Sequence, residues 1–194
     1  LYSLELEGSE QWLLARGRRS DAPVVLFVHG GPGYPSMLFS RAFDDPYLDD
    51  FVVVHWDQRS AGKSYDPEAP LEESTLKRIV DDGLVVAEHL ATKFGQKIIL
   101  VGHSWGTRVA PLMANASPEL FQSYVSAGTA VDWHSGDSRK IAELSLLAKE
   151  ANNEPLAKAL RDLEPLPFRS HASFHRLAAL WVEHKGFGGT AHRL

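Results

Sequence analysis

The sequence contains no cysteine, and that absence removes disulfides, thiolate metal sites and cysteine nucleophiles together. It also lacks any apolar run near the roughly 18 residues that a membrane-spanning helix needs. Strong charge of either sign is missing: the net charge is −5 and the pI about 6.0, which argues against nucleic acid or an anionic membrane as partner. No internal repeat and no low-complexity tract is visible. What remains, at 194 residues with 44% hydrophobic and 23% charged, has the composition of an ordinary globular protein with a sizeable core. A cysteine-free chain without a visible signal peptide points weakly to the cytoplasm, although the sequence begins at Leu1 rather than Met.

Lys97–Thr107, KIILVGHSWGT, organises the chain. Ile98 to Val101 reads as a strand buried on both faces. It runs into Gly102-His103-Ser104-Trp105-Gly106, a G-x-S-x-G pattern in which a strand turns sharply into a helix and presents a serine hydroxyl at the tip. A β-carbon at 102 or 106 is expected to collide where strand and helix backbones approach, and the serine is expected in a strained conformation. The plainer alternative is that Ser104 merely caps the following helix.

Along the chain, Leu1–Leu6 and Gln11–Ala15 read as strands joined by a turn at Gly8-Ser9. Arg16–Ser20 reads as a solvated basic turn. Pro23–Val28 is a buried strand ending in His29-Gly30-Gly31-Pro32-Gly33, and Phe51–His55 is another, followed by Asp57–Ser64, DQRSAGKS. Ser74 or Thr75 caps a helix with Leu76, Ile79, Val80, Gly83, Leu84, Ala87, Leu90 and Phe94 on one stripe, and Gly95 ends it. After the central strand comes a helix to about Ala116, with Pro111 inside it, then a strand at Ser123–Ala127. Strands alternating with helices imply a mostly parallel sheet with flanking helices. From Asp132 onward the pattern is helical only: Arg139–Ala151, Pro155–Leu163 and Ala172–His184, with caps at Asp137 or Ser138, Asn153 and Ser170. Gly186–Gly189 reads as a loop. The expected division is 1–132 as core and 133–194 as a helical lid.

HGGPG, DQRSAGKS and GHSWGT, each at the carboxyl end of an expected strand, together resemble the α/β-hydrolase superfamily and, within it, the proline iminopeptidase-like branch. The resemblance extends from about Gln11 to Ala127, and the later helices resemble that branch's cap only loosely. It implies an α/β-hydrolase fold and acyl transfer with Ser104 as nucleophile. The oxyanion donors would be the N–H of Trp105 and that of Gly31, with Gly30 as the alternative; Pro32 has no N–H to give. His29, Gly30 and His103 are expected to support the site, and Asp57 and Arg59 to brace its loops. No cofactor or metal is expected; His171 and His175 stand at metal-binding spacing but lack the glutamate of H-E-x-x-H. The expected partner is a small molecule or short peptide, such as one with an amino-terminal proline. A general esterase, amidase or lactonase, or a non-catalytic binding protein of the same fold, are the alternatives.

Two features depart from the family pattern. Ser60 stands where the branch usually has glycine, at a cost of something like 1 kcal/mol if φ is positive there. The superfamily also places its acid and histidine after the cap. Asp132 is an alternative acid position, and His184 and His192 lie in the cap region. The expectation is therefore an amino-terminal part of a longer hydrolase, with late core strands absent and the fold completed by a further segment or a second chain.

Overall fold

The computed structural model describes residues 1–70, 74–129, 132–163, 165–166 and 171–186. The candidate cap Ser170, His192 and residues 187–189 lie outside these. The chain divides into two compact units, Leu1–Ala130 and Val131–Leu194.

The first unit is built on six strands: β1 (Tyr2–Glu5), β2 (Glu10–Arg16), β3 (Val24–Val28), β4 (Val52–Trp56), β5 (Ile98–His103) and β6 (Phe121–Ala127). Their order across the sheet is β1-β2-β4-β3-β5-β6, antiparallel at β1-β2-β4 and parallel from β4 to β6. The parallel part follows from the sequence. VVLFV and VVVHW carry no polar alternation, and β4 is buried at every position because helices and sheet neighbours leave it no wet face.

Between β3 and β4 lie a short helix, α1 (Ser40–Phe43), and 3-10 turns at Met37–Phe39 and Asp45–Tyr47. α2 (Leu76–Phe94) and α3 (Gly106–Ala116) follow. Of the two candidate caps, Thr75 caps α2, its hydroxyl accepting from the Arg78 N–H at 3.2 Å. Gly95 ends the helix at φ +64°, in the left-handed region. α2 buries Ile79, Val80, Gly83, Val86, Ala87 and Leu90 in the core that holds Trp56, Leu100, Val109 and Met113. Pro111 lies inside α3, which continues to Ala116.

Two boundaries differ from expectation. Arg16 is the last residue of β2 rather than part of a solvated turn; it donates to the Ser40 carbonyl at 2.6 Å and to Asp45 at 2.7 Å. β5 also runs two residues past Val101, because Gly102 and His103 pair with Ser126 and Ala127 of β6.

The second unit holds α4 (Trp133–Glu150), α5 (Glu154–Arg161) and α6 (His171–Lys185). α4 starts six residues before the expected Arg139. The cap is Asp132, which accepts from the Ser135 N–H at 2.9 Å, and not Asp137 or Ser138. Apolar periodicity hid this turn, since the first helical residues include Ser135, Gly136 and Asp137. Asp137 instead pairs with Lys140 at 2.9 Å. Asn153 caps α5 as expected.

Candidate active site

The site residues sit where the sheet's connectivity reverses. From β3 the chain crosses to β4 on one side, and β5 lies on the other, so this is the point of the sheet at which α/β proteins of this kind generally bind ligands, outside the carboxyl ends of the strands. Val28 pairs with Gly102, which sets the HGGPG loop directly beside the serine turn.

Ser104 occupies the turn between β5 and α3 with φ +50°, a region an L-residue enters only when its surroundings impose it. The surroundings are specific. Its N–H donates to the Ala127 carbonyl at 2.9 Å, and its carbonyl accepts from the Thr107 N–H at 2.9 Å and the Thr107 hydroxyl at 2.6 Å. The bonds recorded for Ser104 thus run through its main chain. The residue at the cap position of α3 is Trp105, not Ser104.

The glycines around it are sterically required. A Cβ at Gly102 would lie 2.6 Å from the Gly106 carbonyl oxygen, and one at Gly106 only 2.0 Å from that of Val28. Helix α3 therefore starts against two strands at once, closer than any side chain permits. Gly30 is close but less constrained: a Cβ there would sit tightly, 3.1 Å from both Ser104 Cβ and His103 Nδ1. Gly31, at φ +116°, would drive a Cβ into the nitrogens of Gly33 and Tyr34 at 2.7 Å. Gly30 thus lies against the serine turn, while Gly31 is required by the tight turn of its own loop. A helix start leaves the N–H groups of Trp105 and Gly106 outside the intrahelical ladder.

The loops after β3 and β4 are joined through His29. The imidazole is 1% exposed; its Nδ1 bonds the Gly30 carbonyl at 2.9 Å and its Nε2 accepts from the Gln58 N–H at 3.2 Å. Gln58 Nε2 returns a bond to the His29 carbonyl at 3.0 Å. With Nδ1 as donor and Nε2 as acceptor, the ring is neutral. Burial pushes its pKa down from 6.5 to about 4, against the Gly30 hydrogen bond, which acts in the opposite direction. Such a histidine is a loop fastener with both nitrogens engaged. His103, by contrast, is exposed.

The depressed pKa has a consequence for stability. Between pH 6.5 and 4 the unfolded chain binds a proton at this position that the folded chain refuses, so stability rises with pH there and is lost on acidification. A full shift of this size corresponds to about 3 kcal/mol. Urea midpoints measured across that window should fall more steeply for the wild type than for His29→Gln. The comparison is needed because Asp57, raised by burial, titrates in the opposite sense. Equal slopes would refute it.

Asp57 and Arg59 brace the loops, but not against each other. Asp57 Oδ2 accepts from the Lys63 N–H at 2.8 Å, and Gly62 is required beside it, since a Cβ there would lie 2.2 Å from that oxygen. Arg59 makes a two-pronged pair with Asp82 of α2, at 2.8 and 2.9 Å, and donates to the Leu6 carbonyl at 2.8 Å. The departure at Ser60 is accommodated in place: φ is +60°, and the hydroxyl lies 2.7 Å from that of Ser74.

Of the remaining candidates, Asp132 is committed as a helix cap, bonding both the Ser135 N–H and its hydroxyl, which hold its carboxyl below the usual range. His175 and His184 lie on α6, and the side chain of His171 is outside the description. Among the described residues, no group of three or more histidine, cysteine or acidic side chains is placed to hold a metal. No described helix is long and apolar enough to cross a membrane.

Comparison with known proteins agrees with this geometry. Probable aminopeptidase YbaC of Bacillus subtilis is 28% identical over 98% of the chain and 59% of its own length. The proline iminopeptidase of Lactobacillus crispatus is 29% identical over 87% of the chain and 50% of its own length. The chain thus spans between half and three fifths of these relatives. Among solved structures, a proline iminopeptidase-related protein from Thermus thermophilus superposes with a TM-score of 0.61 at 24% identity, covering 91% of this chain and 64% of that one. The family described as alpha/beta hydrolase fold matches residues 23–180, which include all three loops and the strands that carry them. By sequence match and by the strand-turn-helix that holds Ser104, the chain belongs to that family.

Proposed function

We propose that the full-length protein is a serine hydrolase that forms an acyl-enzyme on Ser104. The observation that supports this most directly is the backbone of Ser104. It is held at φ +50° by three bonds to its main chain, on a turn against which Gly30 packs. Strain of this kind persists only where the surroundings over-determine it, and it projects the hydroxyl away from the sheet.

In the proposed reaction Ser104 Oγ attacks a substrate carbonyl carbon while a histidine takes its proton. The carbonyl oxygen becomes an oxyanion, stabilised by the N–H groups of Trp105 and Gly31, with Gly30 as the alternative donor. Collapse expels the amine or alcohol, which takes up the proton held by the histidine, and water then releases the acyl group by the same steps, giving its own proton to the histidine and thence to Ser104 Oγ. His29 is unsuited to be that base, because both its nitrogens are engaged and its pKa is depressed. The acid and the base are proposed to come from the part of the protein that corresponds to the remaining length of its relatives. The helices of residues 133–194 are proposed as part of a cap.

The names of the relatives support a peptide substrate with amino-terminal proline or another small residue. The full-length protein is expected to cleave prolyl p-nitroanilide with a kcat/KM at least about tenfold above that for acetyl p-nitroanilide, a difference of roughly 1.4 kcal/mol in transition-state stabilisation between substrates with the same leaving group. Equal rates on the two anilides, with p-nitrophenyl esters cleaved, would assign a general esterase of the same fold.

A further inference from the structure

We infer that Ser36, His55 and Asp44 form a positioning relay that holds the HGGPG loop in its working geometry; this rests on the reading of Ser104 and its oxyanion donors given above. His55 is the fourth residue of β4, a strand without an exposed position, and is itself 5% exposed. A histidine in such a place is costly unless both ring nitrogens find partners. Both do. Nε2 lies 3.0 and 3.1 Å from the two carboxyl oxygens of Asp44, and Nδ1 lies 2.8 Å from Ser36 Oγ. The ring also packs beside Phe27 of β3, with centroids 5.5 Å apart.

The direction of the Asp44 bond follows from donor and acceptor chemistry. A carboxylate can only accept, so His55 Nε2 donates to Asp44, and Nδ1 shares the remaining hydrogen bond with the Ser36 hydroxyl, which can serve as donor or acceptor. Asp44, 5% exposed, is backed by Arg16 at 3.7 Å. Arg16 also holds the Ser40 carbonyl and Asp45, so one imidazole and one guanidinium pin residues 36–45 to the sheet.

The pinned segment begins three residues after Gly33. A chain of that length spans at most roughly 10 Å, so fixing Ser36 restricts where the loop before it can go. Restriction matters there because Gly31 and Gly33 both have positive φ, and glycine surrenders the most backbone freedom on ordering. Within the loop the Tyr34 N–H bond to the Gly30 carbonyl, at 3.2 Å, closes a turn. The relay sets where that turn sits over Ser104, and an oxyanion donor displaced by a fraction of an ångström loses much of its effect.

The same three residue types form nucleophilic triads elsewhere. Here the imidazole is enclosed in a core strand and lacks a face open to substrate, so the cluster serves position rather than chemistry.

The test uses the full-length protein with p-nitrophenyl acetate as substrate. Ser36→Ala should lower kcat roughly tenfold with KM changed less than about twofold, the signature of an interaction made in the transition state. Ser36→Thr, which keeps the hydroxyl, should recover most of that loss; both variants should remain folded at the assay temperature, with Ser36→Ala melting lower than the threonine variant because His55 Nδ1 loses its partner. Wild-type kcat in Ser36→Ala, or a threonine variant no better than alanine, would overturn the relay while leaving the nucleophile intact. A folded wild type that a fluorophosphonate fails to label would overturn the reading of Ser104, and the relay with it.

Discussion

Replacing Ser104 with alanine in the full-length protein is expected to abolish fluorophosphonate labelling and to lower kcat by at least about a thousandfold, without loss of folding. The chemical part of this expectation follows from losing the proposed nucleophile; in a well-studied serine protease loss of the nucleophile costs on the order of 10⁶ in kcat. The structural part follows from the way Ser104 is held. Its bonds to Ala127 and to the Thr107 N–H are backbone to backbone, and the Thr107 hydroxyl donates to its carbonyl, so a methyl side chain leaves each in place. Positive φ is also no worse for alanine than for serine. Labelling that persists in Ser104→Ala, mapped by mass spectrometry to another residue, would remove Ser104 from the mechanism. Labelling absent from a folded wild type would favour a binding protein over an enzyme.

The second large effect is expected at Asp82, on α2 and away from the serine turn. Asp82 is 3% exposed and accepts from Arg59 through both carboxyl oxygens and from Gln11 Nε2 at 2.7 Å. Gln11 Oε1 in turn accepts the indole N–H of Trp56 at 2.8 Å. One carboxylate thus joins β2, the end of β4, the loop after it and α2. With Asp82→Ala the buried guanidinium loses this two-pronged partner, and Gln11 Nε2 loses its acceptor. Removing one partner of a buried pair typically costs about 3–5 kcal/mol, far more than the pair contributes over a well-packed apolar replacement. Urea denaturation of the full-length protein should show a loss of that size. A change below about 1 kcal/mol, the range of an exposed pair, would mean that water reaches Arg59 readily. Because Arg59 and Asp57 both belong to the loop after β4, and Gln58 of that loop fastens His29, the variant should also reduce activity in whatever fraction remains folded.

These two expectations differ in how they were legible. Ser104 could be read directly: a buried apolar run, then glycine–x–serine–x–glycine, leaves few conformations, and the two other loops fall at strand ends as the motifs require. The requirement at Gly102 was also local in origin, since its Cβ would strike the Gly106 carbonyl oxygen four residues on. Asp82 was not legible. On α2 it falls within an apolar stripe drawn through Ile79, Val80 and Gly83, directly after Asp81, and nothing in that acidic pair signals that the partner of Asp82 is Arg59, 23 residues earlier. Likewise nothing near His55 in sequence announces Ser36 or Asp44.

The sequence by itself determined the strands and longer helices of the sheet unit and their alternation, the serine turn, the glycine-rich loop after β3 and the end of α2 at Gly95, but not the short α1. Those features rest on interactions within a few residues: apolar periodicity, the φ that glycine permits, and caps. The start of α4 escaped because a polar first turn has no periodicity, and only the Asp132 side chain marks it. Tertiary structure alone decided strand order, the neighbourhood of Val28 and Gly102, the near-contact of Gly106 with the Val28 carbonyl, and the partners of the buried charges. The reason is physical. A buried polar group must be satisfied, but which distant group satisfies it is fixed only when packing brings the two together, and a one-dimensional pattern does not record that distance.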